Sequence, residues 1–337
     1  MNLEKETNSR QGENEILLEV KNLQVSFFTE AGEVRAVKVA DFTVKKGEFF
    51  GIVGESGSGK SVATKSFLRL GPQNCRIKGG SIEFEGRDIL KLDSEKLRAI
   101  RGKDISIIFQ DSLSALNPVY TIGSKLTEVI LRHNQMTKQE GRKRAVELLT
   151  AVGITEPEKC MKSYPHELSG GMRQRVMIAM AMSSHPKMII ADEPTTALDV
   201  TIQAQILKLL KRLQKESGMS VVLITHDLGV VAQTCSRMAV MCGGYVVEEG
   251  TAEDIFYHPS HPYTQALIAS MPKTGGGKFE QFLERDVSDN SGSLCPFLSR
   301  CKYACEECEK SLPGFAKISE GHISRCHKGG TISWEMK

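Results

Sequence analysis

The sequence predicts an α/β fold on a mainly parallel sheet, with an antiparallel β subdomain before it, a helical subdomain within it and a small Cys-rich tail after it. Three observations predict it. Short, almost wholly apolar runs at Glu48–Val53, Ile105–Phe109, Met188–Ala191 and Val221–Ile224 suit strands buried on both faces. Helical periodicity lies between them, as at Arg144–Val152 and Ile202–Gln214, and such alternation implies a parallel sheet covered by helices on both faces. Five of the nine Cys follow residue 294, in a segment too short to fold on a hydrophobic core alone.

In chain order, residues 1–15 are polar and predict a solvated tail; they carry no apolar stretch of the kind a secretory leader needs. The main domain spans 16–272. Apolar residues alternate from Leu17 to Phe28, and a turn at Ala31-Gly32 leads into a second alternating run, which reads as antiparallel strands. Between Asp111 and Glu167 only helical periodicity occurs, placing the helical subdomain at about 111–183. Gly, Ser, Asp and Lys dominate 273–293, a linker, and 294–337 form the tail.

Composition narrows the function. With 40% hydrophobic residues in 337, a disordered or fibrous chain is excluded. Lys+Arg 44 against Asp+Glu 41 leaves a net of +3, so bulk charge points to no nucleic acid. No apolar run approaches the ~20 residues of a spanning helix. A reducing compartment is expected, where clustered Cys suggest metal or redox chemistry before disulfides.

The chemistry starts at Gly54, Glu55, Ser56, Gly57, Ser58, Gly59, Lys60 and Ser61, which fit G-x-x-x-x-G-K-[ST] between a buried strand and a helical run ending at Gly71-Pro72. Glycines let successive N–H groups turn toward phosphate. Lys60 brings a point charge to the terminal phosphates, and the Ser61 hydroxyl can ligate Mg²⁺. The apolar run Met188–Ala191 ends in Asp192 and Glu193: Asp192 is placed to hold the Mg²⁺ shell, Glu193 to take a proton from an attacking water. In Leu168-Ser169-Gly170-Gly171-Met172-Arg173-Gln174-Arg175, Ser169 reads as the N-cap of a helix from Met172 to Met182 whose first N–H groups face an anion.

These motifs resemble the ATP-binding subunits of ABC transporters, whose signature is LSGGQxQR, here with Met172 for the usual Gln. The resemblance covers Leu17 to about Pro272 and implies an ATPase using ATP and Mg²⁺. It implies that Ser169, Gly170 and Gly171 bind the γ-phosphate held by a second subunit. Gln110 matches the Q-loop glutamine reaching Mg²⁺ and water, Asp199 the D-loop aspartate communicating across the dimer, and His226 the switch histidine at the γ-phosphate. Phe27 matches the aromatic stacked on adenine.

Three stretches, 109–118, 193–199 and 256–264, resemble the dipeptide/oligopeptide importer branch. That implies two permease subunits, a paralogous ATPase partner forming a heterodimer, an extracytoplasmic peptide-binding protein, and a peripheral place on the cytoplasmic face of the inner membrane. Nickel importers share most of these landmarks and remain an alternative, as does a soluble ABC ATPase of DNA repair or translation. His258 and His261 read as Pro-rigidified packing, not as ligands.

Clustered thiolates in the tail argue for a metal that supplies folding energy. Cys295, Cys301, Cys308 and Cys326 match the branch's four-Cys pattern, which implies a [4Fe–4S] cluster. Cys305 is extra. Cys305, Cys308 and Cys326 with His322 or His327 leave a Zn²⁺ site open. A redox sensor using nucleotide as a switch is a further alternative. Cys75, Cys160, Cys235 and Cys242 read as packing residues.

Overall fold

The apolar runs form strands because only burial on both faces uses them fully: Phe49–Val53, Met188–Asp192 and Ser220–Thr225 are buried at every position. The computed structural model describes residues 15–271 and 294–334. The expected tail before Glu15 and the linker at 273–293 lie outside the described residues.

The chain divides into two units: Lys45–Phe49 with Lys91–Ile224, and Ile16–Val44 and Phe50–Leu90 with Thr225 onward. In the first unit Ile105–Ile108, Met188–Asp192 and Ser220–Thr225 pair in parallel, with Ile105 opposite Met188 and Met188 opposite Ser220. The helical region carries Ile122–His133, Lys138–Ala151 and the signature helix Gly170–Met182. Thr137 starts the second of these through a capping box with Glu140, satisfying two otherwise orphaned donors. The helix Val200–Ser217 stops at Gly218, whose φ of 70° is open to glycine at little cost.

The second unit adds antiparallel pairs to the parallel strands the sequence predicts. Ile16–Thr29 pairs antiparallel with Cys75–Phe84, a partner strand that the sequence pattern does not name. Phe49–Val53 runs parallel to Arg237–Cys242. Tyr245–Thr251 returns antiparallel to Arg237–Cys242 and parallel to Gly32–Lys45, so the sheet is mixed. The reversal is local. Gly243 and Gly244 both have positive φ, the condition for a two-residue hairpin loop. The helix after the phosphate loop is also shorter than expected, Lys60–Ser66. Thr64 and Ser66 hydroxyls donate to the carbonyls of Lys60 and Val62, an alternative use of the backbone that weakens helical continuation.

The Cys-rich segment borrows a core. Its hairpin, Ala316–Ser319 and His322–Ser324, extends the sheet at Tyr245–Thr251, with Glu248 opposite Ser324. Phe297 is buried and meets Tyr263 edge-on, ring centroids 5.5 Å apart. Arg325 donates to Asp41 at 3.0 Å. Packing against its own unit, unforeseen from the sequence, thus supplies part of what a metal was expected to supply.

Candidate nucleotide site

The phosphate loop leaves the buried strand Phe49–Val53 and curls back onto its own lysine. Lys60 is 5% exposed, and its Nζ donates to the carbonyls of Gly54 and Glu55, both at 2.8 Å. These two bonds hold the ammonium against its own loop. Gly54 is required: φ is 152°, and a Cβ there would stand 2.1 Å from the Met241 carbonyl oxygen. Gly59 caps the helix that begins at Lys60, Ser61 is half-buried in its first turn, and Ser58 is buried beside them. Glu55, Ser56 and Gly57 form the exposed rim. A closely packed backbone wrapped around a buried ammonium fits a polyphosphate chain.

Also in this unit, His226 is exposed just after the strand Ser220–Thr225. Phe27 is half-buried near the end of its strand, while Phe28 is exposed with Lys78 Nζ 5.2 Å from its ring centroid.

In the other unit, Asp192 is buried at the end of its strand and Glu193 turns the chain with φ 46°, a left-handed value uncommon outside glycine. The Glu193 N–H donates to the Ile224 carbonyl at 2.9 Å, which holds that turn. One carboxylate oxygen of Glu193 accepts from Gln110 Nε2 at 3.0 Å and from Thr196 Oγ1 at 2.8 Å. Two landmarks 83 residues apart therefore meet at one atom.

Ser169 caps the signature helix, its Oγ accepting from the Met172 N–H at 3.3 Å. The helix starts at Gly170, two residues earlier than expected. Gly171 has a packing reason besides: a Cβ there would lie 2.8 Å from Ile202 Cγ2. Asp199 caps the following helix, accepting from the Ile202 N–H at 3.0 Å, so it has a structural task that its spacing alone does not reveal.

The four thiols that the branch resemblance singles out, Cys295, Cys301, Cys308 and Cys326, line one cavity with Phe297, Leu298 and Pro313, and Cys305 is absent from its wall. Burial pushes the Cys295 thiol up to about 12 and Cys326 up to about 11, with the neighbouring thiols adding to both. Cys305 instead lies beside Cys308, Sγ to Sγ 3.5 Å. Of the two histidines in the zinc alternative, His327 also lines this cavity. His322 Nε2 meets Glu248 at 2.8 Å in a buried pair, and His327 Nε2 meets the Ser311 carbonyl at 2.9 Å. Among the described residues, no three His, Cys, Asp or Glu side chains form a site for a metal ion. His261 packs as expected: it is buried, its Nδ1 accepts from the Tyr263 N–H, and burial pushes it down to about 3.

Phosphate loop, strand-end carboxylates and capped signature helix define an ATP-binding cassette. Residues 37–196 match the ABC transporter family, and 247–308 match the oligopeptide/dipeptide transporter C-terminal region. The Bacillus subtilis (strain 168) dipeptide transport ATP-binding protein DppD is 48% identical, over 93% of this chain and 94% of its own length. The same organism's oligopeptide transport ATP-binding protein OppD is 54% identical, over 91% and 87%. The dimeric post-hydrolysis structure of the ATP-binding cassette MJ0796 bound to ADP and Pi aligns with TM-score 0.63 and 32% identity, covering 70% of this chain and 98% of that one. The chain belongs to the ATP-binding proteins of dipeptide and oligopeptide ABC transporters.

Proposed function

We propose that this chain is the ATP-hydrolysing subunit of an importer for di- or oligopeptides, converting ATP binding and hydrolysis into movement of permease subunits. The observation that carries the chemistry is the Glu193 carboxylate, set on a left-handed backbone after buried Asp192 and oriented by Gln110 and Thr196. A carboxylate so oriented takes the proton of the water that attacks the γ-phosphate. Lys60 offsets charge on the terminal phosphates. Magnesium, when bound, neutralises phosphate charge; Ser61, Asp192 and Gln110 are the residues assigned to it. Phe27 is assigned to adenine and His226 to the γ-phosphate. Ser169, Gly170 and Gly171 are assigned to the nucleotide of a second, paralogous subunit, with Asp199 signalling between the two.

Peptide specificity is supported by the relatives' names and by the match at 247–308. Among the described residues no helix is long and apolar enough to cross a membrane. The path is assigned to permease partners, with this chain working peripherally at the inner membrane's cytoplasmic face. An extracytoplasmic peptide-binding protein supplies the cargo. Reconstitution with these partners tests the reading. Peptide-loaded binding protein should raise ATP hydrolysis several-fold; stimulation by Ni²⁺ and not by peptide would overturn it.

For the thiol-lined cavity we propose a [4Fe–4S] cluster held by Cys295, Cys301, Cys308 and Cys326. Four thiols around one apolar cavity support it, and Cys295 and Cys326, which burial holds protonated, would be ionised by a bound cationic cluster. Anaerobically purified protein should contain iron and acid-labile sulfide with broad visible absorption; zinc without sulfide would contradict the assignment.

A further inference from the structure

Glu55 is the point where the phosphate loop and the Cys-rich segment meet. All three of its polar groups are engaged. Its carbonyl accepts from Lys60 Nζ at 2.8 Å, its N–H donates to Tyr263 Oη at 2.9 Å, and its carboxylate takes both terminal nitrogens of Arg300, each at 3.0 Å. A two-point guanidinium–carboxylate pair fixes direction as well as distance, which a single ammonium does not.

Arg300 is itself held. It closes the tight turn Leu298–Arg300, its N–H donating to the Phe297 carbonyl at 3.0 Å and its guanidinium lying 5.1 Å from the Phe297 ring centroid. Phe297 packs against Tyr263, the residue that takes the Glu55 N–H. Pro296 fills the space over Gly243, where a Cβ would stand 2.5 Å from the proline Cβ, and the Gly244 N–H donates to the Ser58 carbonyl. The turn is bracketed by Cys295 and Cys301, two walls of the thiol-lined cavity.

We propose that Arg300 is a positioning residue for ATP binding: together with Tyr263 it holds Glu55, and through Glu55 the Lys60 ammonium, in the shape that accepts the triphosphate. The C-terminal segment is then a working part of the nucleotide site. This deepens the ATPase reading and rests on it. The anchor acts on loop geometry before the ligand arrives, so its loss weakens nucleotide binding more than it slows the chemical step.

The test uses the full-length protein, with equilibrium binding of a fluorescent ATP analogue with Mg²⁺ and steady-state ATP hydrolysis. Arg300→Ala should weaken binding about tenfold and raise KM correspondingly while kcat stays within about threefold, a split that general destabilisation does not produce. Arg300→Lys, restoring charge without the two-point geometry, should fall between Arg300→Ala and the parent. Glu55→Gln should reproduce the Arg300→Ala loss, and the double variant should be no worse than either, as expected for partners in one interaction. Glu55→Gln and Arg300→Lys also carry the test where Arg300→Ala fails to fold. Lys60→Ala separates the two readings. If Lys60→Ala abolishes binding while Arg300→Ala and Glu55→Gln bind within twofold of the parent, the positioning role is wrong and the ATPase reading stands. If Lys60→Ala binds normally, both fall. Losses that multiply in the double variant would also overturn the proposal.

Discussion

The phosphate loop and the thiol-lined cavity lie in the same unit and are built on opposite principles. The loop is polar and closed on itself: Lys60 donates to the carbonyls of Gly54 and Glu55, and a Cβ at Gly54 would stand 2.1 Å from the Met241 carbonyl oxygen. The cavity is an apolar shell around sulfur, with the Cys295 and Cys326 thiols driven toward their neutral form by burial and Phe297 packed on Tyr263. The difference teaches where ligand dependence resides. The loop owes its shape to its own backbone bonds, whereas the proposed cluster, by ionising buried thiols, would add most to the shell.

Removing the lysine from the loop should have the largest effect. Lys60→Ala is expected to weaken Mg·ATP binding by about two orders of magnitude, the loss of charge-assisted bonds to phosphate, in a nucleotide titration. Near-parental affinity would break the comparison on the loop's side. On the other side, Phe297→Ala removes a buried aromatic from the wall and should cost about 3–5 kcal/mol in denaturant unfolding. A loss below about 1 kcal/mol would show that the shell does not hold the segment.

His261 sharpens the contrast through pH. Buried and pushed down to about 3, it stays neutral in the folded chain, while the unfolded chain takes up a proton below its ordinary 6.5. Its contribution is therefore full above about pH 6.5 and drains as pH falls toward 3, amounting to about 2 kcal/mol lost at pH 5. His261→Asn keeps a capping acceptor without the titration and should flatten the stability difference between pH 7 and pH 5; an unchanged slope would contradict the assignment. The smallest effect belongs to the signature helix. Ser169→Ala should cost about 1 kcal/mol of stability by loss of the cap. Thermal melting of the nucleotide-free chain would detect it.

Much of this was legible in the sequence because the signals are local. The strand at Phe49–Val53, the loop after it, the cap at Ser169 and the pair Asp192-Glu193 each announce themselves within about ten residues. The four cavity cysteines were legible through the resemblance to the peptide-importer branch, not through spacing alone, and only the structure separates Cys305 from them. Glycines at 243 and 244 carried a readable hairpin signal that was missed, and with it the mixed direction of the sheet. What no local pattern could give is the set of long-range meetings. Arg300 finds Glu55 across 245 residues, Tyr263 finds it across 208, and His322 finds Glu248 74 residues away. These depend on the fold closing, not on any spacing.

The central claim is that Glu193 activates water for hydrolysis while the phosphate loop grips the nucleotide without its help. Glu193→Gln in the assembled importer tests it, with nucleotide affinity and turnover measured on the same preparation. The account predicts ATP binding within about threefold of the parent and turnover reduced by about a hundredfold or more, as loss of a general base requires. Turnover close to the parent's would contradict it.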